Sequence, residues 1–133
     1  SGTLFSSSEL FTNYVYLNFI SIESFPCREE LVLLKALYEK HKSDFKIVSI
    51  CIDENLAEAQ KYFNDNGYEW LLLGYGNQKK IIEQYKVKVY PAYYLIGPDG
   101  KLITSPASSP SENFEWYFFK LMQSKARSQQ PNR

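Results

Sequence analysis

Apolar residues along this chain fall into two kinds of run, and their spacing assigns an element to each. Tyr14–Ser21, YVYLNFIS, is β-branched, aromatic and almost continuously apolar, as expected of a central strand covered on both faces. From Cys27 to Lys42 the period changes. Leu31, Leu34, Leu37 and Tyr38 follow the three-and-four spacing of one buried helical stripe. Glu29 and Glu30 fall in the expected first turn, with Lys40, His41 and Lys42 in the last, so both ends complement the helix dipole. Lys46–Asp53, KIVSICID, reads as a second strand. A strand, a helix and another strand predict parallel pairing with a right-handed crossover.

Asn55 is placed to cap a second helix over residues 56–66, with Leu56, Ala59, Tyr62 and Phe63 inward and Gly67 as its stop. Trp70–Leu73 is a short apolar run, read as a small strand or buried loop. Gly74–Asn77 reads as a turn into a short helix over 78–85 that buries Ile81, Ile82 and Tyr85. Ala92–Ile96 and Lys101–Thr104 flank Gly97-Pro98-Asp99-Gly100, the pattern of an antiparallel hairpin. After a loop over 105–111, Ser109, Pro110 and Glu112 form a capping-box signature. A last helix follows to about Ser124, burying Phe114, Tyr117, Phe118 and Leu121. The expected fold class is α/β: a parallel βαβ half joined to an antiparallel ββα half in one mixed sheet, with helices on both faces.

Composition narrows the functional classes. The 133 residues suit one domain, read as 1–126 with a polar tail at 127–133. Lys+Arg and Asp+Glu balance at 15 each, which gives no reason to expect nucleic acid or an anionic membrane as partner. No apolar run reaches the ~20 residues that cross a bilayer. Eleven Tyr and nine Phe suit a well-packed core. With two cysteines, Cys27 and Cys51, and one histidine, His41, a disulfide scaffold and a Cys/His zinc site are excluded. Nothing calls for a metal, nucleotide or flavin, and Gly74-Tyr75-Gly76 lacks the strand-to-helix context of a nucleotide loop. Ser1–Phe5 lacks the basic start and apolar stretch of a signal peptide, as expected of a mature form or an excised domain.

Three stretches together carry a family resemblance: YVYLNFISIESFPCREELVLL, KIVSICIDEN and YKVKVYPAYYLIGPDGKLI. The chain resembles the thioredoxin superfamily, and within it the TlpA/ResA-type (AhpC/TSA-related) bacterial thiol–disulfide oxidoreductases. That resemblance implies a W-C-x-P-C motif before the first helix, and here the motif reads Glu23-Ser24-Phe25-Pro26-Cys27. The cysteine that attacks substrate in the family is Ser24, the tryptophan is Glu23, and the resolving cysteine is Cys27. Glu23 in place of tryptophan points to natural divergence of an S-x-x-C motif. Pro91 matches the family's cis-proline, preceded here by the bulky Tyr90. The resemblance further implies a peptide or a protein thiol or disulfide as partner, bound around Glu23, Phe25, Pro26, Tyr90 and Pro91. It also implies a periplasmic or cell-envelope location.

Chemistry decides what the motif retains. A hydroxyl forms no stable analogue of a disulfide and has no sequence-adjacent base to activate it. One remaining thiol holds a mixed disulfide but closes no dithiol cycle. The leading expectation is therefore a domain whose dithiol exchange is lost or reduced and whose partner-binding surface is retained. A second reading is a peroxiredoxin-like peroxidase using Cys27 with Ser24 as hydroxyl partner. Against it, Ile20 stands where that family has proline, and Arg28 is an unconvincing partner arginine. A third is a structural domain of a larger envelope protein. Cys51 reads as a small buried hydrophobe rather than a disulfide partner, His41 as a solvated dipole partner, and Glu23 as either a neighbour that repels a thiolate or a solvated loop charge.

Overall fold

The computed structural model describes residues 13–74, 90–104 and 107–128. Within them five strands form one sheet: β1 (Tyr14–Ile20), β2 (Phe45–Cys51), β3 (Leu71–Gly74), β4 (Ala92–Ile96) and β5 (Leu102–Thr104), in the order β3-β2-β1-β4-β5. β1 pairs parallel with β2, and β2 with β3, while β4 runs antiparallel to both β1 and β5. This is the mixed α/β sheet expected from the sequence. The helices are α1 (Phe25–His41), α2 (Leu56–Asn66) and α3 (Phe114–Ser128).

Side chains alternate along β1 and divide the core into two layers. Tyr16 and Ile20 join Leu31, Leu34 and Leu37 of α1, Phe63 of α2, and Phe114 and Phe118 of α3. Two successive right-handed crossovers place α1 and α2 on the same face. Val15, Leu17 and Phe19 point the other way and join Val48, Ile50, Tyr94 and Ile96. All three of those β1 residues are fully buried, so both faces of the sheet are covered. The helix expected over 78–85 lies outside the described residues. At the centre of the first layer the Tyr16 ring stacks on Phe114 with centroids 3.6 Å apart, and its hydroxyl donates to the Ser108 carbonyl. A buried polar chain crosses the same layer: the Trp70 indole N–H donates to Ser49 Oγ (2.8 Å), which donates to Asn18 Oδ1 (2.7 Å).

Several boundaries differ from the sequence reading, each for a local reason. α1 begins at Phe25 rather than Cys27. Ser24 adopts extended backbone and caps it, and Pro26, with its fixed φ and no N–H, suits the first turn. Glu29 and Glu30 consequently lie beyond that turn. β2 ends at Cys51, because Asp53 turns away to meet the loop after β1. Asn55 caps α2 and Gly67 ends it with φ +71°, a conformation that favours glycine. Leu56, expected inward, stays 38 % exposed. Ser109–Glu112 forms its box around a separate 3₁₀ turn. Asn113, at φ 69°, breaks the chain before α3 starts at Phe114. α3 then runs through Arg127 to Ser128, past the expected end at Ser124.

His41 also needs correcting. Its ring is largely buried rather than solvated. It stacks on Phe45 and lies 2.8 Å from Asp44 through Nδ1 and 2.8 Å from Glu115 through Nε2. The start of α3 supplies Glu115, a contact that no local periodicity reveals.

Candidate functional site around Ser24 and Cys27

The site forms at the carboxyl ends of β1 and β2, where open α/β sheets place their crevices. The loop Ser21–Ser24 joins β1 to α1, and Ser24 ends it as a helix cap. Its Oγ accepts the Cys27 N–H (3.4 Å), and its carbonyl accepts the Arg28 N–H (3.0 Å). The hydroxyl at the attacking position thus satisfies an orphan donor of the helix.

Cys27 is fully buried, and both cysteines are free thiols. The Cys27 sulfur accepts the backbone N–H of Ser21 at 3.5 Å. Asp53 holds that loop from the β2 side. Its Oδ1 accepts from Ser21 Oγ (2.6 Å), and its Oδ2 accepts from the Ile22 N–H (2.8 Å) and from the Cys51 thiol (3.3 Å). Ser21 Oγ in turn accepts the Glu23 N–H (3.2 Å). Arg28 closes the other side: its guanidinium donates to the Ile22 carbonyl (2.9 Å) and lies over the Phe25 ring at 5.8 Å.

Burial pushes the Cys51 thiol up to about 12, against the backbone N–H of Asp53, which lowers it, and with the Asp53 carboxylate, which raises it, so the thiol stays protonated at neutral pH. Tyr93 of β4 is held well above the ordinary phenol range by burial first, then by Glu30, Cys27 and Glu112. Glu30 accepts from the Ser111 N–H (3.1 Å) and from the Ser111 hydroxyl, which ties α1 to the turn before α3.

Of the residues singled out in the sequence, Glu23, Phe25 and Pro26 are exposed around the motif, and Ser24 is half-buried. The Tyr90–Pro91 peptide bond is cis, and both residues are half-buried. Since Ala92 pairs with Phe19, the register puts Pro91 beside the end of β1, where the motif loop begins. Tyr90 packs against the layer that contains Cys27. The peroxiredoxin arrangement needs the Ser24 hydroxyl on the Cys27 sulfur; here it meets the Cys27 N–H, and Arg28 faces Ile22. Sequence reasoning gave no role to Ser21 or Asp53, and it assigned Glu30 to the helix dipole rather than to Ser111. A carboxylate directly after the strand beside the motif strand was the available signal for Asp53.

Two cavities flank this frame. One of about 240 Å³ lies next to the motif among Ile22, Glu23, Asp53, Glu54, Asn55 and Glu58. A larger one, about 740 Å³, lies at the opposite end of the sheet beside Tyr14, His41, Asp44, Glu115 and Trp116. The first borders the motif loop through Ile22 and Glu23, and Cys27 is not in its lining.

A cysteine in the first turn of the helix that follows a central parallel strand, with a cis-proline beside that strand's end on an antiparallel neighbour, defines a thioredoxin-fold domain. The sequence profile described as thioredoxin-like matches residues 12–102, and the chain belongs to that family. It is 28 % identical over 109 residues to the thiol-disulfide oxidoreductase ResA of Bacillus thuringiensis; that match takes in 80 % of this chain and 62 % of the relative, so the chain spans less than two thirds of that protein. A solved structure from Bacteroides vulgatus, assigned as a thiol-disulfide oxidoreductase, superposes with a TM-score of 0.77 at 25 % identity, over 88 % of this chain and 78 % of the other. The pneumococcal exposed lipoprotein thioredoxin of Streptococcus pneumoniae shares the fold at a TM-score of 0.69 and 20 % identity, over 87 % and 88 % of the two chains.

Proposed function

We propose that this chain is a partner-binding thioredoxin-like domain that has lost dithiol exchange and keeps one thiol, Cys27, in the resolving position. The observation that carries this reading is the role of Ser24: the attacking position holds a hydroxyl engaged as a helix cap. Exchange at Cys27 alone is a half-cycle. The Cys27 thiolate attacks one sulfur of a partner disulfide, the partner's S–S bond breaks, a Cys27–S bond forms, and the other partner sulfur leaves as a thiolate that takes up a proton. Release then needs a thiol from outside. The buried sulfur makes even the first step slow, since Ser24–Cys27 has to open for the attack.

Binding falls to the exposed surface. Phe25 and Pro26 lie on the motif side and Tyr90 and Pro91 on the strand side, an apolar edge suited to an extended peptide or a protein thiol or disulfide. A cell-envelope setting is supported by the pneumococcal exposed lipoprotein thioredoxin among the structural relatives. Among the described residues no helix is long and apolar enough to cross a membrane.

Incubation with a disulfide-bridged peptide, followed by intact mass spectrometry, tests this reading. The expected product is a slowly formed 1:1 adduct that maps to Cys27 and persists until a small thiol is added. Rapid release without added thiol, or an adduct at Cys51, contradicts it.

A further inference from the structure

We infer that Asp53 is the positioning residue for the Cys27 sulfur, acting through the backbone of Ser21 and Ile22. This rests on the reading of Cys27 as the reacting sulfur. The side chain of Asp53 never reaches that sulfur in the observed contacts. It fixes the two residues that do the work: Ser21 through Oγ at 2.6 Å and Ile22 through N–H at 2.8 Å. Ser21 is thereby held through its side chain and through the peptide that follows it, and its own N–H, on the Ile20–Ser21 peptide whose carbonyl accepts the Ile52 N–H (2.9 Å), points at Cys27 Sγ at 3.5 Å. A backbone donor aimed at sulfur favours the thiolate.

The same carboxylate has a second consequence. Its Oδ2 also accepts the Cys51 S–H at 3.3 Å, so one group presents a donor to Cys27 and holds the proton on Cys51. Asp53 thereby gives two thiols of one core layer different surroundings: Cys27 receives a backbone donor, and Cys51 donates to the carboxylate. The loop's other N–H groups are also committed, Glu23 to Ser21 Oγ and Ser24 to the Ser21 carbonyl at 3.2 Å, which leaves the Ser21 N–H to Cys27.

Charge and position predict opposite outcomes. If Asp53 acted only as a nearby anion, removing it would favour the Cys27 thiolate. If it acts by holding the loop, removing it weakens the Ser21 donor and disfavours the thiolate. The test is a pH titration of the full chain carrying ¹³Cβ-labelled cysteine, which resolves Cys27 from Cys51 and needs no reagent to reach the buried sulfur. Asp53→Ala should lower the Cys27 thiolate fraction about tenfold at a given pH below its midpoint, the effect of losing one hydrogen bond to a charged group. Asp53→Asn keeps an acceptor for Ile22 and a polar partner for Ser21, and should stay within about twofold of wild type. Should Asp53→Ala not fold, Ser21→Ala removes one of the two loop anchors and should lower the fraction about threefold. An unchanged or increased thiolate fraction in Asp53→Ala, or in Ser21→Ala where that replaces it, overturns the inference. The trapping experiment fails separately: if Cys27 takes no partner yet its titration responds as stated, the functional reading falls and the positioning role stands.

Discussion

The two ends of α1 are both tied down by side chains from elsewhere, and they have become different things. At the N-terminal end, Ser24 caps the helix through the Cys27 N–H, Asp53 anchors Ser21, and the Ser21 N–H meets the single Cys27 sulfur. At the C-terminal end, Lys40 and His41 meet Glu115 at 2.6 and 2.8 Å, and His41 also meets Asp44. That end is a charge clasp between α1 and α3, built over the Phe45–Phe114–Phe118 cluster. The contrast sets a clasp that holds two helices together against a loop that surrounds a thiol. The clasp end is anchored by aromatic packing, while the motif end is anchored by polar contacts around a buried thiol.

The largest effect that sharpens this comparison lies under the clasp. Phe114→Ala removes a fully buried ring stacked on Tyr16 and should cost about 3–5 kcal/mol, read from urea denaturation. Ser24→Ala comes next, at about 1 kcal/mol for the lost cap, and under the proposed loss of dithiol exchange it should leave disulfide reduction unchanged. A loss of activity together with the cap would break the division between the two ends.

Glu115→Gln should cost less than about 1 kcal/mol, because its carboxylate is exposed and screened, and the cost should shrink further in high salt. Hydrogen bonds from Lys40, then His41, hold the Glu115 carboxyl below its ordinary value of 4.5. A depressed carboxylate stabilises the folded state above the unfolded value and loses that contribution as pH falls through the folded one. The wild type should therefore lose part of its thermal stability below about pH 4.5 that Glu115→Gln does not lose. The smallest effect at neutral pH concerns Cys51, whose thiol is raised from 9.0 to about 12. Its contribution is intact below pH 9 and declines as pH rises toward 12, so Cys51→Ala should flatten the alkaline fall in thermal melting temperature.

What the sequence made legible follows from where each interaction lies along the chain. Periodic features came through: the β1 run, the Leu31–Leu34–Leu37 stripe, the Asn55 and Gly67 caps and the hairpin around Gly97–Gly100 all depend on neighbours a few residues apart. The motif could be read because Ser24, Pro26 and Cys27 are consecutive, and Pro91 because a proline is conspicuous in its pattern. Contacts across long intervals stayed hidden. Asp53 reaches Ser21 across 32 residues, Glu115 reaches His41 across 74, and Ser111 reaches Glu30 across 81. Asn113 also concealed the true start of α3, since its left-handed backbone splits what reads as one capped helix.

The central claim is that one missing sulfur, rather than a missing frame, separates this domain from an active dithiol catalyst. Insulin reduction by wild type and by Ser24→Cys, measured side by side with dithiothreitol as reductant, tests it most directly. The account predicts a wild-type rate close to that of dithiothreitol alone and at least a tenfold gain for Ser24→Cys, since the second thiol closes the cycle. A wild-type rate equal to that of Ser24→Cys, well above dithiothreitol alone, would contradict it.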